Sequence, residues 1–218
     1  MSKKKDFFWA SYADLMTSLF FIMLVLFVLV VVMLQKEKKD IELQLNEFKK
    51  IEEIKESLNS INDDYFEYSP EYKKHIFKID VAYATGKYDM GSLMNPNVKP
   101  DIENAGKEIK NLIDSMSSIG IQNNIQYLII IEGQSSADNW HESDYRNNDV
   151  LSYLRALKLK EFWINNGINF NGLSNCELVV AGSGQGGIPR VETDGSKAQE
   201  RANQRFLIHI IPKTGIID

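Results

Sequence analysis

One aspartate lies at the start of a long apolar run. Asp14 directly precedes residues 15–34, none of which carries a charge. In a helix, the hydroxyls of Ser11, Thr17 and Ser18 would share its side, because residues three and four positions apart are neighbours. A carboxylate close to lipid is costly, and such groups usually face protein and mark ion paths. The pattern fits a cation-carrying carboxylate, but also a simple cap in the first turn of a helix.

Elsewhere the chain lacks the residue patterns of common catalytic and cofactor sites. The glycines within residues 182–187 suggest a nucleotide loop, but Pro189 follows, no helix is predicted there, and no Lys-Ser/Thr pair is present. A single cysteine, Cys176, excludes an intramolecular disulfide. The formal net charge of −5 offers no basic surface to nucleic acid. We therefore predict a protein that is not an enzyme, with no cofactor, no metal site and no nucleic-acid partner.

The apolar run has the length of a membrane span. Residues 15–34 would form a helix roughly 30 Å long, the thickness of the hydrocarbon core of a bilayer. A basic tail, residues 1–6, precedes a predicted transmembrane helix at residues 7–34. The run is too long for a signal peptide and no small-residue cleavage site follows it, so we predict a retained anchor. The lysines of the tail weakly favour a cytoplasmic N-terminus.

Two further segments follow the span. Residues 35–64 are predicted to form a helical linker with a narrow apolar seam, which is suited to a short coiled coil and hence to a dimer. From residue 65 the composition is that of a globular domain, predicted as residues 65–218. Alternating periodicities there predict strands at 76–84, 126–132, 177–181 and 205–211, with helices at 100–120 and 148–166. The order β-α-β-α-β-β predicts an α/β sandwich with a mixed sheet.

The N-terminal motif Trp9-x-Ser11-Tyr12-Ala13-Asp14-Leu15-Met16-Thr17 resembles the MotB family, the peptidoglycan-anchored stator subunits of ion-driven rotary motors. The resemblance implies that Asp14 carries the proton and that the N-terminus is cytoplasmic. It also implies a homodimer within a pentameric MotA-like or ZorA-like multi-span membrane protein. The linker would then contain a plug helix or be a plain stalk. The residues expected to line the channel are Ser11, Tyr12, Thr17, Ser18 and Phe21.

A second motif lies at the start of the 148–166 helix. Asn148-x-x-Leu151-Ser152-x-x-Arg155-Ala156 resembles the OmpA-like peptidoglycan-binding domain, and Gln199-x-Arg201-Ala202-x-Gln204-Arg205 is a looser match near the end. The resemblance implies that Arg155 binds a stem-peptide carboxylate, for which a guanidinium offers a rigid fork. The further residues that it places in the site are Asn148, Leu151, Ser152, Arg201 and Arg205.

The chain departs from that family at one position. Gly133-Gln134-Ser135-Ser136 stands where the family has Gly-His-Thr-Asp, whose aspartate holds the amine of the stem peptide. Ser136 carries no charge, so Asp138, or Asp144 within a longer loop, is the candidate substitute. This departure leaves the mode of wall binding open while the fold prediction stands.

Three functions remain compatible with the sequence. The N-terminal motif is more similar to the ZorB subunits of Zorya anti-phage systems than to flagellar MotB, when it is taken as Phe8-Trp9-x-Ser11-Tyr12-Ala13-Asp14-Leu15-Met16-Thr17. We expect a subunit of a motor in a defence complex, located in the bacterial inner membrane with a periplasmic C-terminal domain. A flagellar stator subunit and a passive tether between membrane and wall are the alternatives. Hydroxyls beside Asp14 suit either H⁺ or Na⁺.

Overall fold

The structure, a computed structural model, divides the chain into two compact units, Met1–Ile51 and Glu52–Asp218. It describes residues 3–58, 61, 63–122, 126–138, 140–143, 146–170, 173 and 176–213. Asp144, one of the two candidate substitutes for the missing aspartate, lies outside these residues.

A single helix, α1, forms the N-terminal part of the chain. It runs over Lys3–Leu58 and contains a segment, Tyr12–Asn46, that is long and apolar enough to cross a membrane. The side chains of the apolar run are exposed, as expected of a surface that lipid or partner helices would cover. The prediction of one long apolar N-terminal helix is confirmed, and helical structure continues through most of the predicted linker.

A mixed five-stranded sheet forms the centre of the second unit. Its strands are β1 (Phe66–Ser69), β2 (Lys74–Phe77), β3 (Gln126–Gly133), β6 (Cys176–Gly182) and β7 (Phe206–Lys213). Their order in the sheet is β1-β2-β7-β3-β6, and only the β3–β6 pair is parallel. This confirms the predicted fold class, an α/β domain with a mixed sheet.

Two long helices and a small hairpin complete the domain. Helix α2 spans Lys99–Gln122 and helix α3 spans Asn148–Asn165, close to their predicted bounds. The hairpin consists of β4 (His141–Ser143) and β5 (Arg146–Asn147), and a short helix, α4, covers Lys197–Glu200. The two long helices meet where the indole nitrogen of the fully buried Trp163 donates to the Ile102 carbonyl at 2.8 Å.

The prediction of a single strand at 76–84 is wrong. Strand β2 ends at Phe77, and β1, which precedes it, was not predicted. Beyond β2 the backbone makes only an isolated bridge, between Tyr83 and Leu93, and side chains supply further bonds: Asp80 Oδ1 accepts from the amide of Ala82 at 3.2 Å. The amide of Tyr83 donates to Gln204 Oε1 at 2.8 Å. The apolar pattern of residues 76–84 predicts a strand, but it carries no information about the side chains that accept from the amides of Ala82 and Tyr83.

Two glycines let α3 lie directly on the sheet. They end the parallel strands β3 and β6, at Gly133 and Gly182. A Cβ on Gly133 would overlap the backbone carbonyl oxygen of Ser152, and one on Gly182 would overlap the backbone of Tyr153. The position of α3, which carries the Asn-x-x-Leu-Ser-x-x-Arg-Ala motif, therefore depends on the absence of side chains here.

A buried ion cluster lies on the sheet. The Glu132 carboxylate, from β3, accepts from Lys74 Nζ at 3.0 Å and lies 2.6 Å from His209 Nε2. Burial alone would raise the pKa of Glu132, but hydrogen bonds from His209, Ser183 and Lys74, together with the charge of Lys74, lower it to about 2. The cluster ties β2, β3 and β7 together at one place.

Glu132 should make the stability of this domain sensitive to acid. Because its folded-state pKa is below the ordinary value of 4.5, its contribution is present above pH 4.5 and is lost as the pH falls towards 2. The loss should be on the order of 3 kcal/mol. Urea unfolding of the full chain in detergent at several pH values should show this loss, and Glu132→Gln should reduce it. Glu177→Gln is the matched control, because its ion pair with Lys213 is exposed and should contribute little. Equal acid sensitivity in the two variants would contradict the assignment.

Candidate functional site

The start of α3 positions the first candidate residues. Asn147 caps the helix, its Oδ1 accepting from the amides of Asp149 and Val150 at 3.1 and 3.0 Å. The next residue, Asn148, is buried, and its Nδ2 donates to Asp138 Oδ1 at 3.1 Å. The capped helix therefore holds the asparagine of the motif against the loop that follows β3.

Asp138 is held in place by three donors. Its Oδ1 also accepts from the amide of Trp140 at 3.2 Å, and its Oδ2 accepts from Ser136 Oγ at 3.1 Å. Ser136, which stands where an aspartate was expected, thus contacts the carboxylate two residues further on. The Asp138 carboxylate therefore lies directly beside the Ser136 hydroxyl, and its substitution for the missing aspartate stays a prediction.

Arg155, the motif arginine, is enclosed by the loop that follows β2. Its guanidinium carbon lies 4.6 Å from the centre of the Tyr83 ring, and its Nε donates to the Lys87 carbonyl at 3.0 Å. Its Nη1 is buried and has no hydrogen-bond partner among the described residues. Burial lowers the pKa of Arg155 to about 10, and the neighbouring Tyr83 and Asp138 act in the opposite direction. The side chain remains a cation at neutral pH, and the N–H donors of its Nη1 are unused.

A pocket of about 210 Å³ opens beside Asp138. Both signs of charge line it: the exposed cations Lys197 and Arg201, and the carboxylates of Asp138 and Glu200. The Glu200 carboxylate is already engaged, since it accepts from the Ala137 amide at 2.7 Å, from Arg190 at 3.2 Å and from the Thr193 hydroxyl. Asp138 is also held by three donors, but it is half-buried while Glu200 is buried. A ligand that carries an ammonium and a carboxylate would therefore find Asp138 for the first group and Arg201 for the second. We name this the charged pocket.

The remaining candidates of the C-terminal domain lie elsewhere. Leu151 and Ser152 are buried, and Ser152 Oγ accepts from the amide of Gly184 at 2.9 Å, which ties the glycine loop to α3. Arg205 donates to Gln134 Oε1 at 3.0 Å and to the Pro189 carbonyl at 2.7 Å, outside the charged pocket. The structure therefore brings together Asp138, Asn148 and Arg201, with Arg155 behind the adjoining loop.

Three residues of the site did not emerge from the sequence. Tyr83 falls inside the predicted strand at 76–84. Lys197 lies two residues before the run Gln199–Arg205 that resembles the OmpA-like pattern, and Glu200 is an unspecified position within that run. The one available signal was Ser196, which caps α4 by accepting from the amide of Gln199 at 3.4 Å. A helix start at Ser196 would have placed Lys197, Glu200 and Arg201 on one turn.

The channel candidates lie along α1. Tyr12, Asp14, Thr17, Ser18 and Phe21 are exposed, and the side chain of Ser11 lies outside the described part of the structure. Thr17 Oγ1 donates to the Ala13 carbonyl at 2.7 Å, so its lone pairs are left to accept from another group. Their role in a channel stays a prediction.

The chain was compared with known proteins and structures. No protein-family model and no curated protein matches it. Among solved structures it is similar to the periplasmic domain of Helicobacter pylori MotB, with 16% identity over 66% of this chain and 86% of that one and a TM-score of 0.46. A putative MotB-like protein from Desulfovibrio vulgaris shows 15% identity over 81% and 98%, with a TM-score of 0.45. The peptidoglycan-associated lipoprotein from Burkholderia pseudomallei shows 14% identity over 60% and 88%, with a TM-score of 0.38.

Proposed function

We propose that the chain is the peptidoglycan-anchored, channel-forming subunit of a MotB/ZorB-like rotary motor, serving an anti-phage defence complex. The observation that carries the proposal is that two features occur in one chain. An aspartate within a Trp-x-Ser-Tyr-Ala-Asp motif starts an apolar helix of membrane-spanning length. The same chain carries a domain in which Asp138 and Arg201 line one charged pocket and Asn148 holds Asp138 in place.

The charged pocket supports binding to the wall. Stem peptides of peptidoglycan end in free carboxylates and include diaminopimelate, which carries an ammonium and a carboxylate on one carbon. Asp138 would accept from the ammonium, and Arg201 would pair with the carboxylate through a charge-assisted contact. The unused Nη1 of Arg155 offers a second donor to a carboxylate once the loop over it opens. Asn148 keeps Asp138 in position without touching the ligand.

The apolar helix supports ion coupling. A homodimer would present two Asp14 side chains inside a pentameric ring of a MotA-like or ZorA-like membrane protein. Each proton that moves from periplasm to cytoplasm releases about 2.3 kcal/mol per 100 mV of potential. Protonation of Asp14 removes a charge from the helix pair, changes its fit to the ring and drives rotation. The wall-bound domain keeps the dimer stationary in the inner membrane, so that torque reaches the driven machine.

Wall binding is tested by co-sedimentation of the full chain in detergent with purified peptidoglycan sacculi. Asp138→Asn should weaken binding by about tenfold or more, because a charge-assisted hydrogen bond contributes about 1.5–3 kcal/mol. Arg201→Gln should have a similar effect, since it removes the opposite charge of the pocket. Asp114→Asn is the control, because its ion pair with Lys110 lies on the exposed surface of α2. Unchanged binding in both pocket variants would refute the assignment of the charged pocket.

A further inference from the structure

A second pocket, of about 200 Å³, lies beside the first and is lined differently. Aromatic side chains, Trp140 and Tyr88, contribute to its walls, and Val150 and Leu154 of α3 provide apolar surface. The exposed carboxylates of Asp89 and Glu142 also line it. We call it the aromatic pocket. It combines apolar faces with a few hydrogen-bond acceptors, the usual composition of a site for a small organic ligand.

The indole of Trp140 is held in a fixed position. Gly86, at a φ of +70°, brings the backbone against the ring, and a Cβ there would lie 2.9 Å from Trp140 Cζ2. The amide of Trp140 donates to Asp138 at 3.2 Å, which fixes the backbone that carries the ring. A platform that is already ordered loses little conformational entropy when a ligand stacks on it.

Both pockets share the same two loops. Residues 83–85 line the charged pocket and residues 86–89 line the aromatic pocket, so the loop after β2 passes from one to the other. In the same way, Asp138 lines the charged pocket and Trp140 lines the aromatic pocket. Arg155 secures the first of these loops through Lys87 and Tyr83. A ligand with two chemically different ends could occupy both pockets at once.

The lining of the aromatic pocket suits a sugar ring. A pyranose presents a face of C–H groups that pack on the negative face of an aromatic ring, and hydroxyls on its rim that donate to carboxylates. Asp89 and Glu142 supply such acceptors, while the apolar surface of α3 suits the methyl group of an N-acetyl substituent. The volume is below the range of about 300–1,000 Å³ typical of drug-sized ligands, which corresponds to one ring and not to a longer oligosaccharide.

We infer that the aromatic pocket binds an N-acetylated sugar of the glycan strand, next to the stem peptide held in the charged pocket. The inference rests on the proposed wall-binding function and extends it from the peptide to the sugar. Trp140 is the residue on which the sugar stacks, and Asp89 and Glu142 accept from its hydroxyls.

Calorimetric titration of the full chain in detergent tests this with two probes, a disaccharide-tetrapeptide and the same tetrapeptide without sugar. The disaccharide-tetrapeptide should bind about tenfold more tightly, the effect expected of burying one apolar ring face. Trp140→Ala should bring this ratio close to one, because it removes the ring on which the sugar stacks. Trp140→Phe should retain part of the preference. Tyr153→Ala, an exposed aromatic of α3 outside both pockets, is the control and should keep the full ratio.

The outcomes separate this inference from the function on which it rests. If the tetrapeptide binds but the sugar adds nothing, or if Trp140→Ala keeps the tenfold ratio, the sugar site is refuted and wall binding stands. If neither probe binds the unaltered chain, the wall-binding function fails and the sugar site fails with it. An equal loss of affinity for both probes in Trp140→Ala, with the tenfold ratio kept, would make Trp140 a support for Asp138 alone and would overturn the sugar assignment.

Discussion

The Asp14→Asn variant should insert, assemble and reach the wall normally, yet conduct no protons. Asparagine has nearly the shape of aspartate but cannot take up and release a proton, so the proposed cycle stops at its first step. Proton efflux from acid-loaded inverted membrane vesicles, whose lumen corresponds to the periplasm, should fall to the background of vesicles without the chain and its multi-span partner. Loss of the driven activity, such as protection from phage, should accompany the loss of flux.

Asp40→Asn provides the control for this experiment. Asp40 is also an exposed aspartate of α1, but it follows the apolar run and is not part of the motif. The proton flux of the Asp40→Asn variant should remain within about twofold of that of the unaltered chain, because an exposed surface charge contributes little to stability or assembly. Co-purification should recover the multi-span partner in excess with both variants. Full flux in Asp14→Asn would exclude an ion-carrying role for Asp14, and a chain recovered without a partner would favour the passive tether.

Gly133→Ala should destabilise the C-terminal domain more than other single-methyl changes. The added Cβ would overlap the Ser152 carbonyl oxygen, which is backbone and cannot rotate away, so β3 and α3 would have to separate. Overpacking of this kind costs about 3 kcal/mol, which corresponds to a Tm lower by roughly 6–12 °C for a domain of this size. Thermal unfolding of the full chain in detergent, followed by near-UV circular dichroism, measures the change.

Gly91→Ala is the matched control for that variant. Gly91 lies in a 3-10 turn at Met90–Ser92, and a Cβ built on it meets no atom within 4 Å. The same chemical change should leave Tm unchanged or raise it slightly, because alanine reduces the conformational freedom of the unfolded chain. If both variants lowered Tm equally, the contact between Gly133 and Ser152 would not be the cause.

The elements that the sequence revealed best are those with a strong internal period. Helices α2 and α3 repeat apolar residues every three or four positions and end near glycines, so their predicted bounds differ from the observed ones by only a few residues. The short strands β1 and β2 have four residues each, too few for an alternating pattern to be recognised. After β2, the amide of Tyr83 donates to the side chain of Gln204, which lies more than a hundred positions away in the sequence. A local sequence pattern carries no information about such a distant partner.

In the candidate site, too, the residues of a local motif could be predicted and those brought in by tertiary packing could not. The motif of α3 pointed to Asn148 and Arg155, because their spacing within one helix can be recognised in the sequence. That Asp138 meets Asn148 depends on how the loop after β3 turns back over the helix, and the sequence left it as one of two candidates. Tyr83 and Lys197 join the site from distant segments, so their place depends on tertiary packing alone.

The enclosure of Arg155 has a kinetic consequence. A carboxylate that is to reach Nη1 must first displace the loop that Arg155 itself holds through Tyr83 and the Lys87 carbonyl. Association with such a ligand would therefore wait for loop opening, and dissociation would require the loop to open a second time. Attachment of this kind forms slowly and is released slowly, which gives long residence under mechanical load even where equilibrium affinity is modest.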